Sequence, residues 1–199
     1  YNNINLFYNL DEIYYALLNG KKLDLFDCST STFISKCHYF ILDDIKNFRQ
    51  LHSKTPGHPE YHLVSGVETT TGPLGQGIAT SVGMAMARKW LASRYNQPGF
   101  EIFDYNIYAV CGDGCLMEGV GSEAASLAGH LELDNLCWIY DNNHITIEGK
   151  TRITFTEDVA VRFLGYRWNV LRVGDANDLA RIEDALMIFQ KTKGRPTLI

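Results

Sequence analysis

The sequence predicts an α/β fold, a parallel sheet with helices on both faces, and three observations support that class. Short apolar runs alternate along the chain with segments of helical periodicity, as they do in parallel sheets covered on both sides. The composition, with 46% hydrophobic and 21% charged residues, is that of an ordinary globular protein. A length of 199 residues is enough for one domain with a real core and short for two.

The predicted elements begin after an irregular start. Acidic residues and apolar spacing predict a surface helix over residues 42–52, and a loop rich in Gly, Pro and Thr follows up to Gly75. Small residues along 76–96 predict a closely packed helix. Further helices are predicted over 120–131, 157–165 and 175–194, and buried strands over 107–111, 136–141, 168–173 and 196–199. Because the chain stops within a predicted strand, we expect the natural protein to continue.

Two regions are predicted along the chain. Residues 1–39 form a divergent N-terminal segment that is rich in Asn, Tyr and Leu and shows no recognisable chemistry. We expect it to pack loosely against the rest. Residues 40–199 form the α/β domain, which we expect to be truncated at its C-terminal end.

The net charge argues against nucleic-acid and membrane partners, and the cysteine content indicates the compartment. The formal net charge is −5 and the pI about 5.6, so the chain has no general electrostatic attraction for nucleic acid or an anionic membrane. No stretch approaches the ~18 consecutive apolar residues of a membrane span. The cysteine count is odd, at five, and no CxxC pair occurs, which favours reduced thiols and a cytoplasmic protein.

Polar residues follow two of the predicted strands. Asp113 stands in GDGCLMEG after the first strand, and Asp141, Asn142 and Asn143 follow the second in DNNHI. A strand–helix–strand unit takes about the length that separates them, so we expect the two strand ends to be neighbours. Carboxylate, amide and carbonyl oxygens form a set that Mg²⁺ or Ca²⁺ prefers. The alternative is that both motifs are simple turns.

We expect Asp113 and Asn143 to approach within roughly 3–5 Å, oxygen to oxygen, as two ligands of one cation do. Without metal, the Asp113 carboxylate is expected to face solvent in a cleft. On that expectation, replacing Asp113 by Ala would spare the fold.

The glycine-rich segment TTTGPLGQG, residues 69–77, leads directly into a predicted helix. Glycines let the backbone approach a ligand closely, and a helix N-terminus offers free N–H groups to an anion. The segment therefore suits a diphosphate or another part of a cofactor. The alternative is that it is only the start of a helix.

Several segments together resemble the thiamine diphosphate-binding domain of transketolase. They are TPGHPEY (55–61), GVETTTGPLGQG (66–77), GDGCLMEG (112–119), SLAGHLEL (126–133), YDNNHITIEG (140–149) and FTEDVAVRFLGYRWNVLRV (155–173). The resemblance runs from about residue 40 to residue 199. Other thiamine enzymes share the GDG and Asn elements, but they lack this combination of the second and third segments.

The resemblance assigns the cation and diphosphate contacts. Asp113, Asn143 and the backbone carbonyl of Ile145 match the ligands of a divalent cation, Mg²⁺ or Ca²⁺, that bridges to the diphosphate. Asn143 thereby also serves as a cofactor contact. Gly114 matches the residue that contacts the diphosphate itself.

It also assigns residues around the thiamine. Gly72, Pro73 and Leu74 match the loop that lines the cofactor. His58 matches a catalytic histidine near the reacting carbon and the sugar hydroxyls. Glu118 matches a carboxylate at the subunit interface that is linked to the partner's site.

The implied activity is transfer of a two-carbon ketol unit from a ketose phosphate to an aldose phosphate, in the pentose phosphate pathway, by a homodimer. Two departures leave alternatives open. The family's Gly-His-Pro-Gly and Asn-Gly-His elements are absent, and His38 stands in no matching context. The chain is therefore an enzyme fragment, a truncated non-catalytic relative, or a fragment of a dihydroxyacetone synthase.

Overall fold

The computed structural model describes residues 5–7, 42–57, 61–63 and 69–199. These residues belong to two compact units, one holding 42–57, 61–63 and 69–72 and the other holding 5–7 and 73–199. His58 lies outside the described residues. So does the N-terminal segment apart from residues 5–7, and its loose packing stays a prediction.

The elements follow each other in chain order. The strands are β1 (Asn5–Phe7), β2 (Ile107–Gly112), β3 (Leu136–Asp141), β4 (Ile145–Thr146), β5 (Gly149–Lys150), β6 (Asn169–Val170) and β7 (Thr197–Leu198). The helices are α1 (Leu42–Lys46), α2 (Gln76–Tyr95), α3 (Asp113–Met117), α4 (Gly119–His130), α5 (Val159–Gly165) and α6 (Leu179–Lys191), with a 3₁₀ turn at Thr151–Ile153. None of the helices in the described ranges combines the length and the apolar character needed to cross a membrane.

The larger unit is built on a five-stranded sheet of order β1-β2-β3-β7-β6, and every pairing within it is parallel. The longest pairing joins β2 to β3, from Ile107 opposite Leu136 to Gly112 opposite Asp141. The four predicted strands are thus parallel members of one sheet, as expected. The last two of them are shorter than predicted, at two residues each.

Helices cover both faces of this sheet, which confirms the predicted class. Side chains alternate between faces along a strand. On one face, Ile107 and Ala109 of β2 pack with buried residues of α2, α4 and α5 around Trp138. On the other face, Tyr108 and Cys137 pack against Phe189 of α6.

Local signals in the sequence set the starts of two helices. The side chain of Asp158 accepts a hydrogen bond from the Val161 amide at the start of α5, and Asp178 accepts one from the Arg181 amide at the start of α6. Such caps satisfy backbone donors that have no partner within the helix.

The predicted helix over 42–52 is wrong in its length, because α1 ends at Lys46. The chain then folds back on itself: the Thr55 hydroxyl donates to the backbone oxygen of Asp44 at 2.6 Å, and the Arg49 amide donates to the backbone oxygen of Thr55 at 3.0 Å. Arg49 and His52 adopt positive φ values of 62°, which a continuing helix does not allow.

Candidate cofactor-binding site

The two polar strand ends meet at the carboxyl edge of the sheet. Gly112, the last residue of β2, lies opposite Asp141, the last residue of β3. Asp113 follows at once as the first residue of α3, and Asn143 lies two residues beyond β3. The expectation that the two strand ends are neighbours is therefore confirmed. This edge is where open parallel sheets bind their ligands.

The Asp113 carboxylate is buried, with 2% of the residue exposed. Its Oδ1 accepts a hydrogen bond from the Tyr140 hydroxyl at 2.6 Å, and its Oδ2 accepts one from the backbone amide of His144 at 2.9 Å. The expectation of a solvent-facing carboxylate is wrong, because β3 and the segment after it cover the side chain. Removal of Asp113 by Ala would leave the His144 amide without its acceptor, while the Tyr140 hydroxyl could still donate to Asn142 Oδ1, so we now expect that variant to lower the stability of the fold.

The negative charge of Asp113 has no cationic partner in the described part of the chain. The ion pairs there join other residues, and the two donors that bind the carboxylate are neutral. Burial, followed by the hydrogen bond to Asp113 and the charge of Asp113, raises the pKa of Tyr140 far above its usual value. The Tyr140 hydroxyl therefore keeps its proton and acts as a donor.

Asn143 lies in a tight turn beside this carboxylate. Its Nδ2 donates to Asp141 Oδ2 at 2.8 Å, and its Oδ1 accepts from the Ile145 amide at 3.1 Å. His144, between Asn143 and Ile145, has a φ of 61° and uses its amide to bind Asp113. That contact joins Asp113 to the residue that lies between Asn143 and Ile145 in the chain. The predicted 3–5 Å approach of the Asp113 and Asn143 oxygens stays a prediction.

The glycine-rich loop lies against the same corner. Gly75, with a φ of 81°, precedes α2, and a Cβ there would lie 2.7 Å from the Cβ of Glu118. A Cβ on Gly114 would lie 3.0 Å from Cδ1 of Leu74. Pro73 and Leu74 are exposed. The loop and the GDG turn therefore share one surface, and glycine is needed at Gly75 by both its φ and its contact.

A family model described as the transketolase thiamine diphosphate binding domain matches residues 32–199. The chain belongs to the transketolase family. The resemblance drawn from the motifs is thus confirmed, and the match starts slightly before the predicted boundary near residue 40.

Curated relatives and solved structures agree with this assignment. The chain is 58% identical over 158 residues to the transketolase of Geobacillus stearothermophilus, covering 79% of this chain and 24% of that protein. It is 58% identical over 159 residues to transketolase 1 of Saccharomyces cerevisiae, covering 79% and 23%. The chain therefore spans about a quarter of the length of the curated relatives it matches.

Transketolases of known structure share the fold. The Leishmania mexicana enzyme superposes with a TM-score of 0.76 at 49% identity, over 80% of this chain and 24% of that one. A Pichia stipitis transketolase in complex with sedoheptulose-7-phosphate superposes with a TM-score of 0.75 at 53% identity, over 78% and 23%. The α/β fold is therefore that of the thiamine diphosphate-binding domain in this family.

The residues of this transketolase-family chain fit a hard cation rather than a soft one. The described ranges contain no group of three or more His, Cys, Asp or Glu side chains that could hold a metal. Near Asp113 at this edge, the turn after β3 offers the Asn143 amide oxygen and backbone carbonyls, and β3 ends in the carboxylate of Asp141. A donor set of carboxylate, amide and carbonyl oxygens suits a hard cation such as Mg²⁺ or Ca²⁺.

The remaining predicted residues lie in different places. Gly72 has a φ of 55° and belongs to the smaller unit. Glu118 is exposed and immediately precedes α4. Ile145 is 55% exposed and pairs with Lys150 between β4 and β5.

Sequence reasoning missed two contributors to the site, the Tyr140 hydroxyl and the His144 backbone amide. Tyr140 was hidden in the apolar run LCWIYD, which reads simply as a buried strand. Strand register could have found it, because Tyr140 pairs with Cys111, two residues before Asp113. The His144 contact depends on the positive φ of that residue, and a histidine in the sequence does not predict a positive φ.

Proposed function

We propose that this chain is the cofactor-binding part of a transketolase. Such an enzyme transfers a two-carbon ketol unit from a ketose phosphate to an aldose phosphate with thiamine diphosphate and a divalent cation. The observation that carries the proposal is the buried Asp113 carboxylate, held at the carboxyl edge beside Asn143 without a cation from the described chain. Membership of the transketolase family supplies the identity of the cofactor.

The cation site would neutralise the charge of the diphosphate. Asp113, Asn143 and the Ile145 carbonyl would hold Mg²⁺ or Ca²⁺, and such ions usually complete their shells with water and ligand phosphates. Gly114 would let a phosphate approach the backbone, since among the described residues its one close neighbour is the movable end of Leu74. When bound, thiamine diphosphate supplies the carbon nucleophile and the electron sink that cleavage beside a carbonyl requires.

The residues around the thiamine would exclude water and move protons. Pro73 and Leu74 present exposed apolar surface that a cofactor ring would cover, and the family resemblance adds Gly72 to the same loop. His58 would hold or move a proton near the reacting carbon, a role that rests on the TPGHPEY motif alone.

Glu118 is proposed to lie at the interface of a homodimer. It is exposed at the start of α4, and large apolar side chains beside it are also exposed, namely Met117 at 37%, Val120 at 47% and Leu127 at 44%. A surface of this kind is typical of protein–protein contacts. Sugar phosphates as substrates, the pentose phosphate pathway and a cytoplasmic location belong to the same proposal.

The test is a calorimetric titration of the chain with thiamine diphosphate in excess Mg²⁺. The variant is Asp113→Asn, which removes the charge but can keep the hydrogen bonds: its Oδ1 can accept from the His144 amide, and its Nδ2 can donate to the Tyr140 oxygen. The Tyr140 hydroxyl would then donate its proton to Asn142 Oδ1, which lies 3.0 Å from the hydroxyl oxygen in the parent structure.

We expect Asp113→Asn to weaken Mg²⁺-dependent binding at least about 100-fold, since second-shell changes alone cost about 10–100-fold. Asp134→Asn is the matched control, because Asp134 precedes β3 at the opposite edge of the sheet. It should bind like the parent, and a chelator should abolish binding in both. Equal affinity and equal Mg²⁺ dependence in parent and Asp113→Asn would contradict the site. A ketol-transfer assay on the same sample tests catalysis separately.

A further inference from the structure

The Asp113 carboxylate is held from two sides by groups that have no part in binding a cation themselves. The Tyr140 hydroxyl binds Oδ1 and the His144 amide binds Oδ2, so each carboxylate oxygen receives one donor. Two directed bonds on two oxygens fix both the rotamer and the plane of a carboxylate. Each oxygen keeps further acceptor capacity, since an ionised carboxylate offers about four lone-pair sites.

Tyr140 is itself firmly placed. It lies in β3 with its backbone paired to Cys111 of β2, and its ring packs against the core cluster around Trp138. Its backbone amide also donates to the Ile199 carbonyl at 2.9 Å. Groups mounted on strands hold their geometry more closely than groups on loops.

The Tyr140 hydroxyl has a second neighbour, Asn142 Oδ1, at 3.0 Å. A phenol carries only one proton, and the contact to the charged oxygen of Asp113 is shorter, at 2.6 Å. The proton therefore goes to Asp113. Asn142 is exposed, so the strand rather than this contact determines where the hydroxyl lies.

A neutral donor orients a carboxylate without cancelling its charge, whereas a Lys or Arg at the same place would compete with an incoming cation. We propose that Tyr140 is a positioning residue, whose hydroxyl holds Asp113 in the orientation that binds the divalent cation. This inference rests on the proposed function, in which Asp113 is a cation ligand. Partners of this kind are worth about 10–100-fold in metal affinity.

The variant is Tyr140→Phe, which removes one hydroxyl and keeps the ring. The matched control is Tyr105→Phe: Tyr105 also packs against the same core cluster, but it precedes β2 and lies at the opposite edge of the sheet. Both variants are made in the full 199-residue chain.

The first measurement needs no ligand. It follows the ¹H–¹⁵N signal of the His144 amide, which donates to Asp113 and therefore reports the orientation of the carboxylate. We expect Tyr140→Phe to move this signal and Tyr105→Phe to leave it in place. An unmoved signal in Tyr140→Phe would overturn the inference.

The second measurement is the Mg²⁺ dissociation constant at fixed thiamine diphosphate. We expect Tyr140→Phe to raise it about 10–100-fold, with Tyr105→Phe unchanged. If the parent binds and Tyr140→Phe binds Mg²⁺ equally well, the inference is overturned. If the parent binds neither ligand, the proposed function fails, and the His144 signal still decides whether Tyr140 orients Asp113.

A double-mutant comparison covers the case in which Tyr140→Phe lowers the stability of the fold. The free energy of unfolding is measured for Tyr140→Phe in the parent and in an Asp113→Ala background. If the hydroxyl acts through Asp113, its removal costs more stability in the parent than in the Asp113→Ala chain, where the hydroxyl can still donate to Asn142. An equal loss in both backgrounds would mean that the hydroxyl supports packing only, and the inference would fall.

Discussion

The two edges of the parallel sheet each hold a carboxylate, and they treat its charge in opposite ways. At the carboxyl edge, Asp113 is bound by a phenol and a backbone amide, both neutral. At the amino edge, Asp134 accepts from Lys89 Nζ at 2.8 Å and from the Gly194 amide at 3.0 Å. Asp134 is neutralised by its own chain and serves the fold, whereas Asp113 is oriented by neutral donors, as the proposed cation site requires.

Two glycines also differ between the amino edge and the carboxyl edge of the sheet. Gly129, near the end of α4 and so toward the amino edge, faces the backbone oxygen of Tyr166, which would lie 1.8 Å from an added Cβ. Gly114, at the carboxyl edge, faces only the end of the Leu74 side chain, at 3.0 Å, and Leu74 is half exposed. Gly129 is therefore required by packing, and Gly114 leaves room that a ligand can use.

The largest effect is expected for Gly129→Ala. The new methyl group would overlap a backbone carbonyl that cannot turn aside, and overpacking of this severity costs about 3 kcal/mol or more. Urea unfolding followed by circular dichroism measures the loss. Gly83→Ala in the middle of α2, where a Cβ meets nothing within 4 Å, is the control and should raise stability by up to about 1 kcal/mol. A Gly129→Ala chain as stable as the parent would contradict the packing.

Gly114→Ala should separate ligand binding from stability. Leu74 can move away from the methyl group, so we expect the free energy of unfolding to stay within about 1 kcal/mol of the parent. The methyl group would occupy the space through which a phosphate approaches the backbone, so thiamine diphosphate affinity should fall about 10-fold or more, equivalent to about 1.4 kcal/mol. Unchanged affinity would argue that Gly114 also serves packing alone.

The sequence was sufficient for the parts of the site that depend on strand order. Alternating apolar runs predicted that β2 and β3 are parallel, and parallel neighbours end at the same edge, so the two strand ends that lead to Asp113 and Asn143 were correctly expected to be neighbours. It was insufficient where side chains cover one another. The burial of Asp113 follows from the Tyr140 ring in β3 and from the turn at His144, and both contacts join residues about 30 positions apart.

The lengths of the helices and strands also depend on contacts between residues that are not adjacent in the sequence. Helix α1 is shorter than its apolar spacing predicts, because hydrogen bonds between Asp44, Arg49 and Thr55 reverse the chain. The strands β6 and β7 keep only two residues each, although their sequences would support longer ones. Propensity indicates that an element exists, and tertiary hydrogen bonds decide where it ends.

The smallest expected effect is the pH-dependent contribution of Asp134, at the amino edge of the sheet, to the stability of the fold. Burial raises the pKa of Asp134, but the hydrogen bonds from Lys89 and the Gly194 amide, together with the charges of Lys89 and Lys193, lower it by more, so the pKa in the folded chain is below its usual value. A lowered folded-state pKa stabilises the fold above the unfolded value of about 3.9, and this contribution is lost as the pH falls through the folded-state pKa. Because Lys89 and Asp134 are partly exposed, with 36% and 21% of their side chains accessible, the pair should contribute less than about 1 kcal/mol.

We therefore expect Asp134→Asn to unfold slightly more easily than the parent at pH 6, and the difference to shrink below about pH 4 as the parent's Asp134 takes up its proton. Urea unfolding of both chains between pH 3 and about pH 6 measures this. Lys89→Met is the companion variant, since it removes the cation that contributes to the low pKa and should flatten the same part of the pH profile. If the stability difference between Asp134→Asn and the parent stays constant or grows as the pH falls, the fold does not stabilise the charged form of Asp134. The comparison between Asp134 and Asp113 would then be wrong.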